Sequence, residues 1–347
     1  MGAETLSGIA QERVDEWLAE HVPDVEPPFR YALIAGGHSN LTFEVVDARG
    51  RRFVLRRPPL GGVLQSAHDM GREHRIISAL APTRVPVPQP LGSCEDPAVN
   101  GAPFYVMEFV EGMVFAEAAD VGPEFGEAQR MALAHSMVDV LAELWGVDPD
   151  AVGLGDLGRR EGYVERQLRR WMRQFEQSTD REIPAVGQVH EILSRHVPPQ
   201  QRAGIVHGDY RIGNCMVGPD GLVRAVLDWE LCTLGDPLAD LGWLASDWAE
   251  PGEPTGHLRG DPVTALPGFP PRSAMIARYV ERTGADVARL DFYVALALWK
   301  LACIAEGVYA RYRAGVMGDD GANVVESFGD RVIALAEEAL TIAQRLE

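Results

Sequence analysis

From Ile9 to His21 apolar and charged positions alternate at helical spacing, which predicts a leading amphipathic helix. The texture then changes. In YALIAGGHSNLTFEVVDARGRRFVLRRPP two β-rich runs, Leu41–Val46 and Phe53–Arg56, flank the turn-forming DARGRR. This predicts a hairpin, preceded by a Gly-containing loop at Gly36 and Gly37. HDMGREHRIISAL predicts a helix with Ile76, Ile77 and Leu80 on its apolar side. VPVPQPLG is extended, because its prolines lack donors and fix the backbone. APFYVMEFVEG reads as a compact apolar strand ending at Glu111-Gly112.

Beyond Gly112 helical patterns dominate: Glu124–Trp145, Tyr163–Gln177, Gly187–Arg195, Arg272–Thr283, Asp291–Arg313 and Asp330–Leu346. The strand-like exceptions, GIVHGD, NCMVG and VRAVLDWE, are short. The expected fold class is α+β in two lobes. Residues 1–110 form a small β-rich N-lobe with the leading helix, and residues 111–347 a larger helical C-lobe. A junction of this kind is expected to make a cleft, where small ligands bind.

Composition narrows the function classes. At 347 residues the chain can bury a substantial core in one large or two moderate domains. No apolar run approaches the roughly 20 residues that cross a bilayer. The start, MGAETLSGIAQERVDEWL, lacks a secretory pattern, and MGAETL matches a myristoylation signal only partly, with Leu6 where Ser or Thr is wanted. Cys94, Cys215, Cys232 and Cys303 include no CxxC pair, which argues against a zinc site or disulfide framework and fits a reducing compartment. A cytoplasmic protein without membrane partners is expected. Lys and Arg number 32 against 51 Asp and Glu, a net charge of −19, so a nucleic-acid backbone would be repelled. The acidity suits either a cationic substrate or solubility alone.

The candidate chemistry lies in GIVHGDYRIGNCMV. His207-x-Asp209-x-x-x-x-Asn214 has the spacing of a kinase catalytic loop. Phosphoryl transfer needs one carboxylate near the attacking hydroxyl and ligands for the magnesium that bridges the phosphates. Asp209 would orient the hydroxyl and accept its proton, and Asn214 would hold metal; the bland alternative is a Gly-Asp turn with an Asn cap. His207 is expected to brace the loop backbone. In RAVLDWELCTLGDPLADLGWL, Asp228 ends an apolar run and suits magnesium, a hard cation taking one or two protein carboxylates. Glu230, two residues on, would point to the same side in extended geometry, as a second metal ligand or as a surface carboxylate. Gly235-Asp236-Pro237 reads as a turn into a helix, with Asp236 as N-cap, Pro237 at the first helical position, and the GDPLAD stretch anchoring the catalytic loop.

VHGDYRIGNCMV, VLDWE and GDPLADLGWL, in this order and spacing, together with GGHSNLTFEV, FVLRRPP, GREHRII and APFYVMEFVEG, resemble the aminoglycoside phosphotransferase family of kinase-like enzymes. The similarity is greatest to the branch fused to acyl-CoA dehydrogenases, and it runs from about residue 30 to the C-terminus. It implies a two-lobed protein-kinase-like fold, ATP and Mg2+ as cofactors, and a small-molecule acceptor, with a functional link to an acyl-CoA dehydrogenase. Gly36 to Asn40 resembles the phosphate-covering turn, which implies nucleotide contacts at Ser39 and Asn40. Arg56 stands where the family's third strand usually carries a phosphate-binding Lys, and Glu73 matches its helix partner; an exposed surface pair is the alternative. Met107 to Val110 resembles the hinge, where backbone groups of Glu108 and Val110 would meet adenine. Asp228-Trp229-Glu230 replaces the DFG triplet of protein kinases, and no APE segment follows, which favours a small-molecule substrate.

The acceptor would be read by residues 113–200 and the helices after 270. Arg166, Arg169, Arg170 and Arg173 share one face of the Tyr163–Gln177 helix, with Arg159 and Arg160 just before it. That face is a landing site for an anionic group, or a solvated face paired with neighbouring acids. Trp299 and Tyr309 in the last long helices read mainly as core. The branch resemblance points to a hydroxyacyl-CoA or hydroxy acid. An aminoglycoside or amino-alcohol kinase is the alternative within the enzyme class, and a nucleotide-binding scaffold without catalysis is the alternative outside it.

Overall fold

The computed structural model describes residues 7–35, 40–60, 69–179, 181–250, 261–313 and 322–347. The chain forms two compact units, Met1–Glu111 with Arg224–Glu230, and Gly112–Val223 with Leu231–Glu347. The short return of the chain at Arg224–Glu230 carries Asp228 into the first unit.

In the first unit, α1 (Gln11–His21) precedes β1 (Arg30–Ala35), β2 (Leu41–Val46) and β3 (Arg52–Arg57). Then come α2 (Met70–Leu80), β4 (Pro90–Cys94), α3 (Pro97–Asn100) and β5 (Phe104–Glu108). The strands form one antiparallel sheet in the order β1-β2-β3-β5-β4. Its register pairs Phe43 with Leu55 and Val45 with Phe53. Side chains alternate across a strand, so these four share one face. They are fully buried with Val14 and Leu18 of α1 and Phe104 of β5. Each such burial contributes about 1.5–3 kcal/mol, which fixes the strands in register. The same alternation puts Arg56, Thr42 opposite it on β2, and Tyr105 opposite it on β5, on the other face. The helix α2 packs against β4 and β5.

The second unit is mainly helical. It holds α4 (Glu127–Gly146), α5 (Tyr163–Ser178), α6 (Pro184–Arg195), α7 (Leu238–Ser246), α8 (Arg272–Thr283), α9 (Leu290–Arg313) and α10 (Ala322–Ala343). The expected Asp330–Leu346 helix therefore starts earlier, at Ala322. Short strands lie between α6 and α7: β6 (Gly204–Val206), β7 (Cys215–Val217), β8 (Val223–Val226, shared with the first unit) and β9 (Thr233–Gly235). β6 and β9 pair antiparallel.

The core of this unit is built on α9, which packs against α10, α7, α5 and α6. By length and composition α9 could cross a bilayer, contrary to the expectation of no such run, but 72% of its apolar window is buried inside the protein, so it reads as a core helix. Trp299 is fully buried and donates its Nε1–H to the Val186 carbonyl at 2.9 Å, as expected of core. Gly242 lets α7 approach α9 closely: a Cβ there would lie 2.6 Å from the Tyr293 backbone. All four cysteines are buried free thiols.

Candidate active site

Two sets of side chains carry the candidate chemistry, one in each unit. In the second unit the chain leaves β6 at Val206 and turns through His207, Gly208 and Asp209 into a 3-10 turn at Ile212–Asn214. Gly208 has φ +89°, and a Cβ there would meet the Leu231 carbonyl oxygen at 2.9 Å, so glycine is required on both counts. The turn is held by side chains aimed at its backbone. The His207 and Gly208 N–H groups donate to the two oxygens of Asp240 at 2.7 and 2.8 Å. The buried Lys300 Nζ donates to the Gly208 carbonyl at 2.7 Å. His207, wholly buried, accepts the Asp209 N–H on Nδ1 at 3.2 Å, the bracing role expected of it.

Asp209 and Asn214 meet as their spacing predicts. Asn214 Nδ2 donates to Asp209 Oδ2 and to the Asp209 carbonyl, both at 2.8 Å. Arg211 Nε lies 3.3 Å from Asp209 Oδ1, and Arg211 Nη2 donates to Asn214 Oδ1 at 3.3 Å. The carboxylate is thus oriented from both oxygens and remains about a fifth exposed, 22%. Below it, burial pushes the Asp240 carboxyl up, and His207, the two N–H donors and Lys300 oppose that shift. Burial lowers Lys300 to about 8, against the pull of Asp209 and Asp240 and with the help of Arg170. Its ammonium also stands 4.5 Å over the Trp243 ring, a cation–π contact.

The GDPLAD stretch anchors the loop as expected, with one correction. The helix starts at Leu238 with Pro237 as N-cap, one residue later than expected. Asp236 still accepts the Leu238 N–H at 3.1 Å, and its other oxygen takes the Tyr293 hydroxyl at 2.6 Å.

In the first unit Arg56 joins two carboxylates. Its Nε lies 3.1 Å from Glu73 Oε2, and its Nη2 donates to Asp228 Oδ1 at 2.6 Å. Glu73 also receives the Asn40 amide and the Tyr105 hydroxyl, each at 3.0 Å. Glu73 is only 2% exposed, so the pair is not a surface one. Buried charges persist only when paired and hydrogen-bonded. Burial pushes the Glu73 carboxyl up, opposed by Arg56. Burial works against the Arg56 charge as well, yet Glu73, Tyr105 and Asp228 together hold its guanidinium above the usual arginine range.

Asp228 adopts φ +64°, a left-handed conformation that Asp tolerates better than most residues. This overturns the extended geometry expected for Glu230. β8 ends at Val226, the backbone reverses at Asp228, and Trp229–Leu231 forms a 3-10 turn. Alternation along a strand therefore does not relate Glu230 to Asp228. Glu230 is half-buried, as is Val110 two residues past β5. The Glu108 N–H donates to the Gln89 carbonyl at 2.8 Å, so that donor is already engaged within the first unit. Asn40 is buried with its amide nitrogen on Glu73, while Ser39 lies outside the described residues.

Lys300, Tyr105 and Asp247 escaped the sequence reading. Lys300 had a signal, a single lysine inside the apolar run VALALWKLACIA. Asp247 closes α7, where burial pushes its carboxyl up to about 6, opposed by Arg211 and reinforced by Asp209.

Comparison with known proteins identifies the family. Residues 30–293 match the model of the phosphotransferase enzyme family. Acyl-CoA dehydrogenase family member 11 of Gallus gallus is 36% identical over 319 residues, 90% of this chain and 40% of that protein. Acyl-CoA dehydrogenase family member 10 of Mus musculus is 35% identical over 314 residues, 89% of this chain and 29% of that protein. The chain thus spans less than half the length of these curated relatives. A Ralstonia eutropha protein, solved under an aminoglycoside phosphotransferase designation, is 34% identical with a TM-score of 0.82, covering 96% of this chain and 98% of that one. Choline kinase from Cryptosporidium parvum, 12% identical, has a TM-score of 0.61 with 96% of each chain covered, a likeness of fold alone. The α+β, kinase-like chain belongs to the phosphotransferase enzyme family and is a small-molecule kinase.

Proposed function

We propose that the protein transfers the γ-phosphate of ATP to a hydroxyl group of a small molecule, with Asp209 as the residue that orients the hydroxyl and takes its proton. The observation that carries this reading is the Asp209–Asn214 clasp, set on a turn that Asp240, Lys300 and His207 hold from beneath. The acceptor oxygen forms a bond to the γ-phosphorus as the bond to the β-phosphate oxygen breaks. The hydroxyl proton passes to Asp209, and ADP leaves. Such chemistry depends mainly on positioning and on charge stabilisation.

Arg56 is proposed to meet the nucleotide phosphates in place of the usual lysine, with Glu73 setting its direction. Asn40 and Ser39 are assigned to the phosphate-covering turn, and Glu108 and Val110 to the adenine edge. Asp228 and the amide oxygen of Asn214 are oxygen donors of the kind magnesium takes, with Glu230 as a further ligand, and the ion would supply charge neutralisation on the phosphates.

For the acceptor we favour a hydroxyacyl thioester of coenzyme A or the matching hydroxy acid. The support is that curated relatives of this chain carry acyl-CoA dehydrogenase names and extend well beyond the matched region. A functional link to such a dehydrogenase follows from the same reading. An amino-sugar or amino-alcohol acceptor is the second reading, favoured by the designation of the Ralstonia protein. The test is ADP release from MgATP across hydroxyacyl-CoA thioesters, their free acids, amino sugars and choline-like alcohols. Turnover on a hydroxyacyl substrate is expected. Turnover on amino sugars alone would move the acceptor to the second reading, and none on any hydroxyl compound would remove the function itself.

A further inference from the structure

The second unit holds a concavity of about 640 Å³ at the start of α5, lined by Arg159, Arg160, Arg166 and Arg169 with Glu161 and Glu165. Four arginines against Glu161, Glu165 and Asp150, the ion-pair partner of Arg160, leave a local excess of one positive charge in a chain whose net charge is −19. The wall is built. Arg166 donates to the backbone carbonyls of Glu161 and Arg159, and Arg160 to Asp150. Arg159 and Arg169 are exposed and have no carboxylate within ion-pair distance among the described residues. Burial, and then repulsion from Arg159, hold the Arg166 guanidinium below the usual arginine range, with Arg169 adding to that repulsion.

Two further features favour an anion. α5 is a 16-residue helix whose N-cap, Gly162, supplies no side chain, so its first N–H groups and the positive end of its dipole meet the arginine cluster. Guanidinium forks suit phosphate, which they grip bidentately. The segment that enters the concavity packs beside the strand leading to the candidate catalytic turn: a Cβ on Gly158, next to Arg159, would lie 2.6 Å from Thr233 Oγ1, and Thr233 pairs with Val206, the residue before His207. An acceptor with its anionic end on the arginines and a long arm could therefore bring its hydroxyl toward the Asp209 loop.

We propose that this arginine-lined concavity binds the phosphate groups of a coenzyme A thioester acceptor, an inference that rests on the acceptor reading above. The phosphates supply the countercharge that Arg159 and Arg169 lack. The free acid of the same acyl chain does not reach this surface, and the concavity then distinguishes thioester from acid.

The full chain carrying Arg159→Glu and Arg169→Glu tests this. KM is measured for a hydroxyacyl-CoA thioester and for the same acyl group on pantetheine, which lacks the nucleotide phosphates. The ratio of the two KM values is expected to shift by about tenfold or more against the CoA thioester, the scale of one or two charge-assisted hydrogen bonds. An unchanged ratio overturns the proposal. In a second arm, calorimetry follows adenosine 3′,5′-bisphosphate binding with the ATP site filled by AMP-PNP and magnesium. Binding that the double variant loses supports the site even if the acceptor panel returns only amino sugars, a result that would sink the acceptor reading by itself. No binding to the unaltered protein, or equal binding to the variant, overturns the site whatever the panel shows.

Discussion

The Asp209 loop and the Arg56 cluster both bury polar groups, but they do so in different ways. Around the loop, buried side chains grip backbone: Asp240 takes two N–H groups and Lys300 one carbonyl, while the Asp209 carboxylate stays partly exposed. Around Arg56, charges meet charges: one guanidinium faces Glu73 and Asp228, with Asn40 and Tyr105 filling the remaining valences of Glu73. The first arrangement fixes where a reactive group sits without altering its charge. The second fixes the charge itself, so losing one member leaves an uncompensated ion. Removing a loop anchor should therefore displace catalysis, and removing a cluster member should cost stability and nucleotide affinity.

The largest effect is expected for Arg56→Met. It leaves Glu73 and Asp228 without their cation, and removing one partner of a buried pair costs about 3–5 kcal/mol. Denaturant unfolding should show a loss of this size, with weakened ATP binding. Arg56→Lys keeps the charge but cannot fork to both carboxylates, and should lose much less. Equal losses in the two variants would refute the view that the cluster is governed by charge balance.

Next comes Asp240→Ala, which strands the His207 and Gly208 N–H groups. Each buried unsatisfied donor costs about 1–3 kcal/mol. Here kcat should fall by more than the nucleotide Kd rises. A variant that loses stability with unchanged kcat would show that the anchor does not position Asp209.

The smallest effect on stability belongs to Lys300→Met. The Lys300 value of about 8 in the fold lies below its ordinary 10.5, so the unfolded chain binds the proton more readily. The folded state therefore carries a penalty below about pH 8, relieved as pH rises from about 8 toward 10.5. The stability of the unaltered protein relative to Lys300→Met should climb across that window. Activity should move the other way, because a neutral amine donates more weakly to the Gly208 carbonyl. A flat stability difference over this range would contradict the assignment.

Much of this contrast was legible in the amino-acid order, and the gaps have physical causes. His207, Asp209 and Asn214 lie within one turn, so local spacing encodes their contact. The GDPLAD stretch, which ends at Asp240, was legible as an anchor because Gly-Asp-Pro marks a helix start. The contact of Arg56 with Asp228 spans 172 positions, and that of Lys300 with the Gly208 carbonyl spans 92, distances over which periodicity says nothing. The same-side expectation for Glu230 failed because one left-handed residue, Asp228, interrupts the alternation on which it depended. The strands β2 and β3 were legible because their apolar alternation also sets their register, whereas the first turns of α10 lie upstream of the stretch read as its start.

The most direct test of the central claim is Asp209→Asn, which keeps the size of the side chain and removes the carboxylate that would take the proton. kcat at saturating MgATP and acceptor, and the ATP Kd, should be measured on the same preparation. General-base catalysis contributes about 10²–10⁴-fold, so kcat should fall by that factor while the ATP Kd changes by less than about threefold. A kcat within a few-fold of the unaltered protein would contradict the assignment of Asp209 as the group that takes the proton.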